Sequence, residues 1–195
     1  MVEFIRMNNL PSEKKVYGGL YEIVVLLRVF FPLIIFKYPL MGFIGSFLLD
    51  GIDGEFAGHK IMSHRHYEIV DKILDFWWYA IIFLYVFVNL PQYIYLMAPF
   101  LIFRFVGDIL FLIKRVRKYL FYFPNFYENI FILIFLGTYF PKLNFLINKS
   151  NFYLWLIIAF ILKIVQEYWL HIINGSISDR VFHLKKKWLK KDKWE

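Results

Sequence analysis

Asp50, Asp53, Asp71 and Asp75 are the residues of this chain best suited to chemistry. The first pair stands three residues apart and the second four, so on two helices each pair shares one face and the two faces can converge. Ionised carboxylates gathered without partners are costly, and hard divalent cations such as Mg²⁺ or Mn²⁺ are the oxygen-seeking partners that offset the cost. Two carboxylate pairs make a binuclear site with two ions, and a pair of ions in turn favours the oxygens of a diphosphate.

The elements that must hold these aspartates are membrane helices. The chain has 195 residues, 60% of them hydrophobic, an apolar share above that of an ordinary soluble domain. Apolar runs occur at 20–36, 39–49, 76–90, 93–113, 129–147 and 152–173. Several approach the roughly 20 residues that span a bilayer. The expectation is an all-α integral membrane protein with six transmembrane helices. The second helix must continue past Asp50 and the third must begin before Asp71, so that both carboxylate pairs meet at one membrane boundary. No linker, repeat or charge block divides the chain, which is read as one domain over 1–195 with a short N-terminal segment to about residue 19 and a basic tail from about 176. Residues 1–15 lack the apolar core of a cleavable leader, so the first span is read as permanent.

The net charge of +8 points to anionic headgroups and away from nucleic acid, because the basic residues gather in the segments between apolar runs. With the amino terminus inside, seventeen lysines and arginines fall on inner segments, against Lys37, Lys142 and Lys149 outside. Both termini and the aspartates are thereby expected at the cytoplasmic face of a multi-pass cell-membrane protein. Tyr and Trp at the run ends, Trp77 and Tyr93 among them, suit interfacial belts, and the lysine-rich stretch 184–195 suits either a surface segment or a solvated tail. The chain has no cysteine, which excludes disulfides and thiolate metal sites.

The spacing Asp50-x-x-Asp53-Gly54-x-x-Ala57, followed by Asp71-x-x-x-Asp75, resembles the signature of the CDP-alcohol phosphatidyltransferase family. That pattern reads D-x-x-D-G-x-x-A-R, eight residues, G-x-x-x-D-x-x-x-D. Six of its eight fixed positions are matched, with Gly58 where the family has arginine and Tyr67 where it has the second glycine. Arg28 and Pro32 also resemble the family's first-helix pattern. The resemblance implies that Asp50, Asp53 and Asp71 hold the metals, and that Asp75 completes the second metal site and acts as general base. Gly54, Ala57, Gly58 and Tyr67 would then lie along the nucleotide. It further implies phosphatidyl-group transfer from a CDP-linked lipid donor to a small alcohol acceptor, within phospholipid biosynthesis and in a homodimer. Two other classes stay open: a non-catalytic membrane scaffold or lipid-binding protein on the same fold, and an intramembrane prenyltransferase.

Other polar residues divide between chemistry and packing. Lys60, Arg65 or the neighbouring His59, His64 and His66 could supply the positive charge that Gly58 removes. Arg104 and Asp108, four apart, form an intramembrane pair or line an acceptor or phosphate pocket. Arg115, Arg117 and Lys118 suit a phosphorylated acceptor or an inner-face charge belt, and Lys163, Glu167 and His171 form a packing stripe. Asn148-Lys149-Ser150 fits the glycosylation pattern, read as chance in so short a connection.

Overall fold

The computed structural model describes residues 12–57 and 64–172, and among these there are helices and turns but no strand. The described residues fall into two compact units, one ending at Ile81 and the other beginning at Ile82.

In the first unit, α1 (Ser12–Phe30) runs into a 3-10 turn, Phe31–Phe36, containing Pro32. Proline has no N–H to donate to the α ladder, and the expected continuous run to Phe36 changes pitch there. Tyr21, Val24 and Arg28 form a buried stripe on α1, whereas Ile23, Leu26, Leu27 and Phe30 on its other face are exposed. The chain then reverses into α2 (Pro39–Ala57), which packs against both α1 and the turn. Glycine permits this approach: a Cβ on Gly42 would lie 2.4 Å from the backbone nitrogen of Ile35. As the placement of the carboxylates requires, α2 continues beyond Asp50, and α3 (His64–Asn89) begins before Asp71. Trp77 Nε1 donates to the carbonyl of Val29 at 2.8 Å, tying α3 to α1 beside Arg28.

The second unit holds the rest of α3 together with α4 (Ile94–Lys114), the short α5 (Lys118–Tyr122), α6 (Phe126–Tyr139) and α7 (Phe152–His171). The run expected over 129–147 is not one helix. Asn125 caps α6 by accepting from the backbone N–H of Glu128 at 3.2 Å. The helix ends at Tyr139, Phe140 is extended, and Pro141 opens a 3-10 turn to Leu146. The buried face of α6 is Tyr127, Ile130, Phe131, Ile134 and Phe135, the recurrence of a helix stripe.

Among the described residues three segments are long and apolar enough to cross a membrane, Gly19–Phe36, Pro91–Lys114 and Phe152–Trp169, and α6 is apolar but shorter. Their outward residues, such as Leu26, Ile102 and Leu162, are apolar, as a lipid-facing surface requires.

Candidate functional site

Arg28, on the buried stripe of α1, is the centre of the site. Its guanidinium meets all four aspartates: Nη2 lies 2.5 Å from Asp50 Oδ1 and 3.0 Å from Asp75 Oδ1, while Nη1 lies 3.1 Å from Asp71 Oδ1 and bonds Asp53 Oδ2. The expected face-to-face arrangement of α2 and α3 is present, with two carboxylates from each helix.

The four carboxylates are not equivalent. Asp53 is 2% exposed and engaged on both oxygens, by Arg28 and by the Tyr67 hydroxyl, which donates to Oδ1 at 3.0 Å. Asp50 is 50% exposed, and Asp71 and Asp75 lie between these limits. Asp50, Asp71 and Asp75 each offer one oxygen, all three within 4.8 Å of one another. Lys72 bridges the α3 pair, at 3.3 Å from Asp71 Oδ2 and bonded to Asp75 Oδ2.

Burial shapes the protonation of the inner pair. It pushes the Asp53 carboxyl up to about 6, against the pull of the Arg28 charge; the Asp71 charge adds to the rise and the Tyr67 hydrogen bond opposes it. Burial, followed by the charges of Asp71 and Asp53, raises the Tyr67 hydroxyl well above its ordinary range. Tyr67 therefore keeps its proton and acts as a donor.

The donor set suits a hard divalent cation, because the converging atoms are all carboxylate oxygens. The Tyr21 hydroxyl, two helical turns before Arg28 on the same stripe, is buried and has no hydrogen-bond partner among the described residues.

The remaining candidates are spread along the chain. Gly54 and Ala57 lie in the last turn of α2, and Gly58, His59 and Lys60 fall outside the described residues. Tyr67, expected along the nucleotide, is turned to Asp53. Arg65 and His66 are exposed at the start of α3. In the second unit, Arg104 pairs with Asp108 at 3.0 Å and donates to the carbonyl of Phe123 at 3.0 Å. Lys163 pairs with Glu167 at 3.2 Å, and Glu167 accepts from the backbone N–H of Asn125 at 3.4 Å. Both pairs thus have packing partners within their own unit. Arg115 closes α4 in the left-handed region at φ 58°, with Arg117 just beyond.

Three participants were not assigned these contacts by sequence: Arg28 as the hub, Lys72 as the bridge, and Tyr67 as a donor. Arg28 carried a signal, since a cation inside an apolar run is costly unless acidic partners await it. Lys72 carried none that separates it from inner-face charge. No family model matches the chain, and no curated protein or solved structure matches it either.

Proposed function

We propose that this chain transfers a phosphatidyl-type group from a CDP-linked lipid to a small alcohol, releasing CMP, as a step of phospholipid biosynthesis. The observation that carries the reading is the meeting of Asp50 and Asp53 from α2 with Asp71 and Asp75 from α3 around one cationic centre, at the signature spacing. Mg²⁺ or Mn²⁺ bound there would supply charge for the diphosphate and for the departing CMP. Asp75 would accept the proton of the alcohol, whose oxygen bonds to the phosphorus that bears the lipid. The bond from that phosphorus to the bridging oxygen breaks, and CMP leaves with the electron pair. Asp50 and Asp71 would orient the cationic centre, and the buried Asp53 would anchor it from below.

In this reading α2 and α3 cross the bilayer along with the three long apolar segments and the α6 region, giving six spans. Both termini and the aspartates face the cytoplasm, following the distribution of lysine and arginine. The donor lipid keeps its chains among the exposed apolar faces, and the transferase works as a homodimer.

One observation favours a second reading, a membrane scaffold without catalysis: the four carboxylates already share a buried guanidinium. Purified protein incubated with CDP-diacylglycerol or CDP-archaeol, a panel of alcohols and Mn²⁺ separates the two. CMP formed together with a new phospholipid supports the transferase. Folded protein that releases no CMP from either donor supports the scaffold.

A further inference from the structure

Between α5 and α6 the helix is interrupted at Phe123, Pro124 and Asn125, and Pro124 and Asn125 are buried. An interruption removes helical hydrogen bonds, and buried backbone N–H and C=O groups must find other partners. Pro124 has no N–H to satisfy. The N–H of Phe123 donates to the carbonyl of Tyr119 at 3.0 Å, and the carbonyl of Pro124 accepts from the N–H of Phe126 at 2.8 Å. The Phe123 carbonyl and the Asn125 N–H are met by charged side chains of neighbouring helices. Arg104 Nη1 on α4 donates to the first at 3.0 Å, and Glu167 Oε1 on α7 accepts from the second at 3.4 Å.

Both side chains lie within apolar helices. Arg104 falls in Pro91–Lys114 and Glu167 in Phe152–Trp169, two of the segments long enough to cross a membrane. Each meets an opposite charge one turn away, Arg104 with Asp108 at 3.0 Å and Glu167 with Lys163 at 3.2 Å. On α7 the apolar Leu154, Ile161 and Leu162 are exposed, whereas Lys163 and Glu167 are its buried positions among the described residues. A membrane helix arranged in this way places its charges where protein, and not lipid, must satisfy them.

Gly107 agrees from the side of α4. It shares a face with Arg104 and Asp108, and a Cβ there would lie 2.3 Å from the Cβ of Phe123. One face of α4 is thus given over to the interruption.

Irregular backbone is tolerated at bilayer depth only where protein satisfies its polar groups. We propose that Arg104 and Glu167 are positioning residues that hold the α5–α6 interruption inside the membrane, with Asp108 and Lys163 orienting them and Gly107 admitting Phe123 to α4. The two intramembrane pairs are thereby assigned to the backbone, and Arg104 with Asp108 not to an acceptor or phosphate. The inference stands independently of the transferase reading.

Hydrogen–deuterium exchange of the full-length protein in detergent micelles, resolved to single amides by fragmentation, reads the interruption directly. In wild type the Phe123 and Asn125 amides are expected to exchange within about tenfold of those at 130–136 inside α6. Exchange as fast as at the exposed turn 148–150 overturns the proposal. Arg104→Met, Glu167→Leu and Gly107→Ala are each expected to raise exchange at 123–126 at least about tenfold and to leave 130–136 unchanged. Arg104→Lys, which keeps a donor and the charge, is expected to fall between wild type and Arg104→Met. Ile102→Ala, at an exposed position of the same helix, is the control and is expected to change neither region. Folded variants with wild-type exchange at 123–126 overturn the proposal. Exchange raised equally along the whole of α6 overturns it too, because the side chains then serve general stability. If Arg104→Met or Glu167→Leu does not fold, wild type and Gly107→Ala decide the matter.

Discussion

Arg28 and Asp53 form a buried ion pair joining α1 to α2, and the Tyr67 hydroxyl on α3 completes the Asp53 carboxylate at 3.0 Å. One carboxylate therefore ties three helices together. A pair this buried adds little net stability as a unit, yet losing one member leaves the other charge stranded.

Arg28→Ala removes an ion-pair partner from four carboxylates at once, whereas Asp53→Ala leaves Arg28 three other partners. Without divalent ions, Arg28→Ala is expected to lower stability by about 3–5 kcal/mol, and Asp53→Ala by less. Mn²⁺ should restore much of the Arg28→Ala loss by binding the folded state. Thermal unfolding in detergent checks this, and equal melting temperatures for Arg28→Ala and wild type in chelator would contradict it.

Tyr67→Phe removes a donor from a buried acceptor while keeping the ring. A loss of about 1–3 kcal/mol is expected. The Asp53 carboxyl, already at about 6, should rise further when this hydrogen bond is gone. Carbonyl-region infrared titration of the variant against wild type reads that shift, and a fall in its midpoint would contradict the assignment.

The raised carboxyl of Asp53 sets a pH dependence. Between its ordinary value of 3.8 and about 6 the folded chain holds a proton that the unfolded chain has released. This contribution to stability is complete below the lower value and is lost as pH rises through the upper one. Mn²⁺ affinity runs the opposite way and weakens below about 6, where the cluster loses a negative charge. Asp53→Asn should flatten the dependence of melting temperature on pH in that window. An unchanged slope would assign the titration elsewhere.

Lys72 competes with any ion for Asp71 and Asp75. Lys72→Gln is expected to tighten Mn²⁺ binding by about three- to tenfold, the partly exposed position limiting the gain. Calorimetric titration measures it, and weaker binding would show that Lys72 supports the site.

Much of this arrangement was legible in the sequence because carboxylate spacing is a local property. Asp50 with Asp53, and Asp71 with Asp75, share helix faces for reasons of pitch alone, and α2 and α3 extend past the apolar runs as those faces require. The contribution of α1 was not legible in the same way. Arg104 and Lys163 pair with the acids four residues on, Asp108 and Glu167, whereas Arg28 has no acid three or four residues away and meets Asp53 only through tertiary packing. The glycine position occupied by Tyr67 illustrates the same limit: its ring pointed to a nucleotide contact, while its hydroxyl is directed to Asp53. The break at Pro141 follows local chemistry, but an apolar composition on both sides conceals it.

The central claim is that these four aspartates perform phosphatidyl transfer. Its most direct test is CMP release from radiolabelled CDP-diacylglycerol with a panel of alcohols, wild type beside Asp75→Asn. The account predicts Mn²⁺-dependent release by wild type, reduced at least about a hundredfold in the variant by loss of the general base. Equal release by the two proteins, or release by wild type unaffected by chelator, would contradict it.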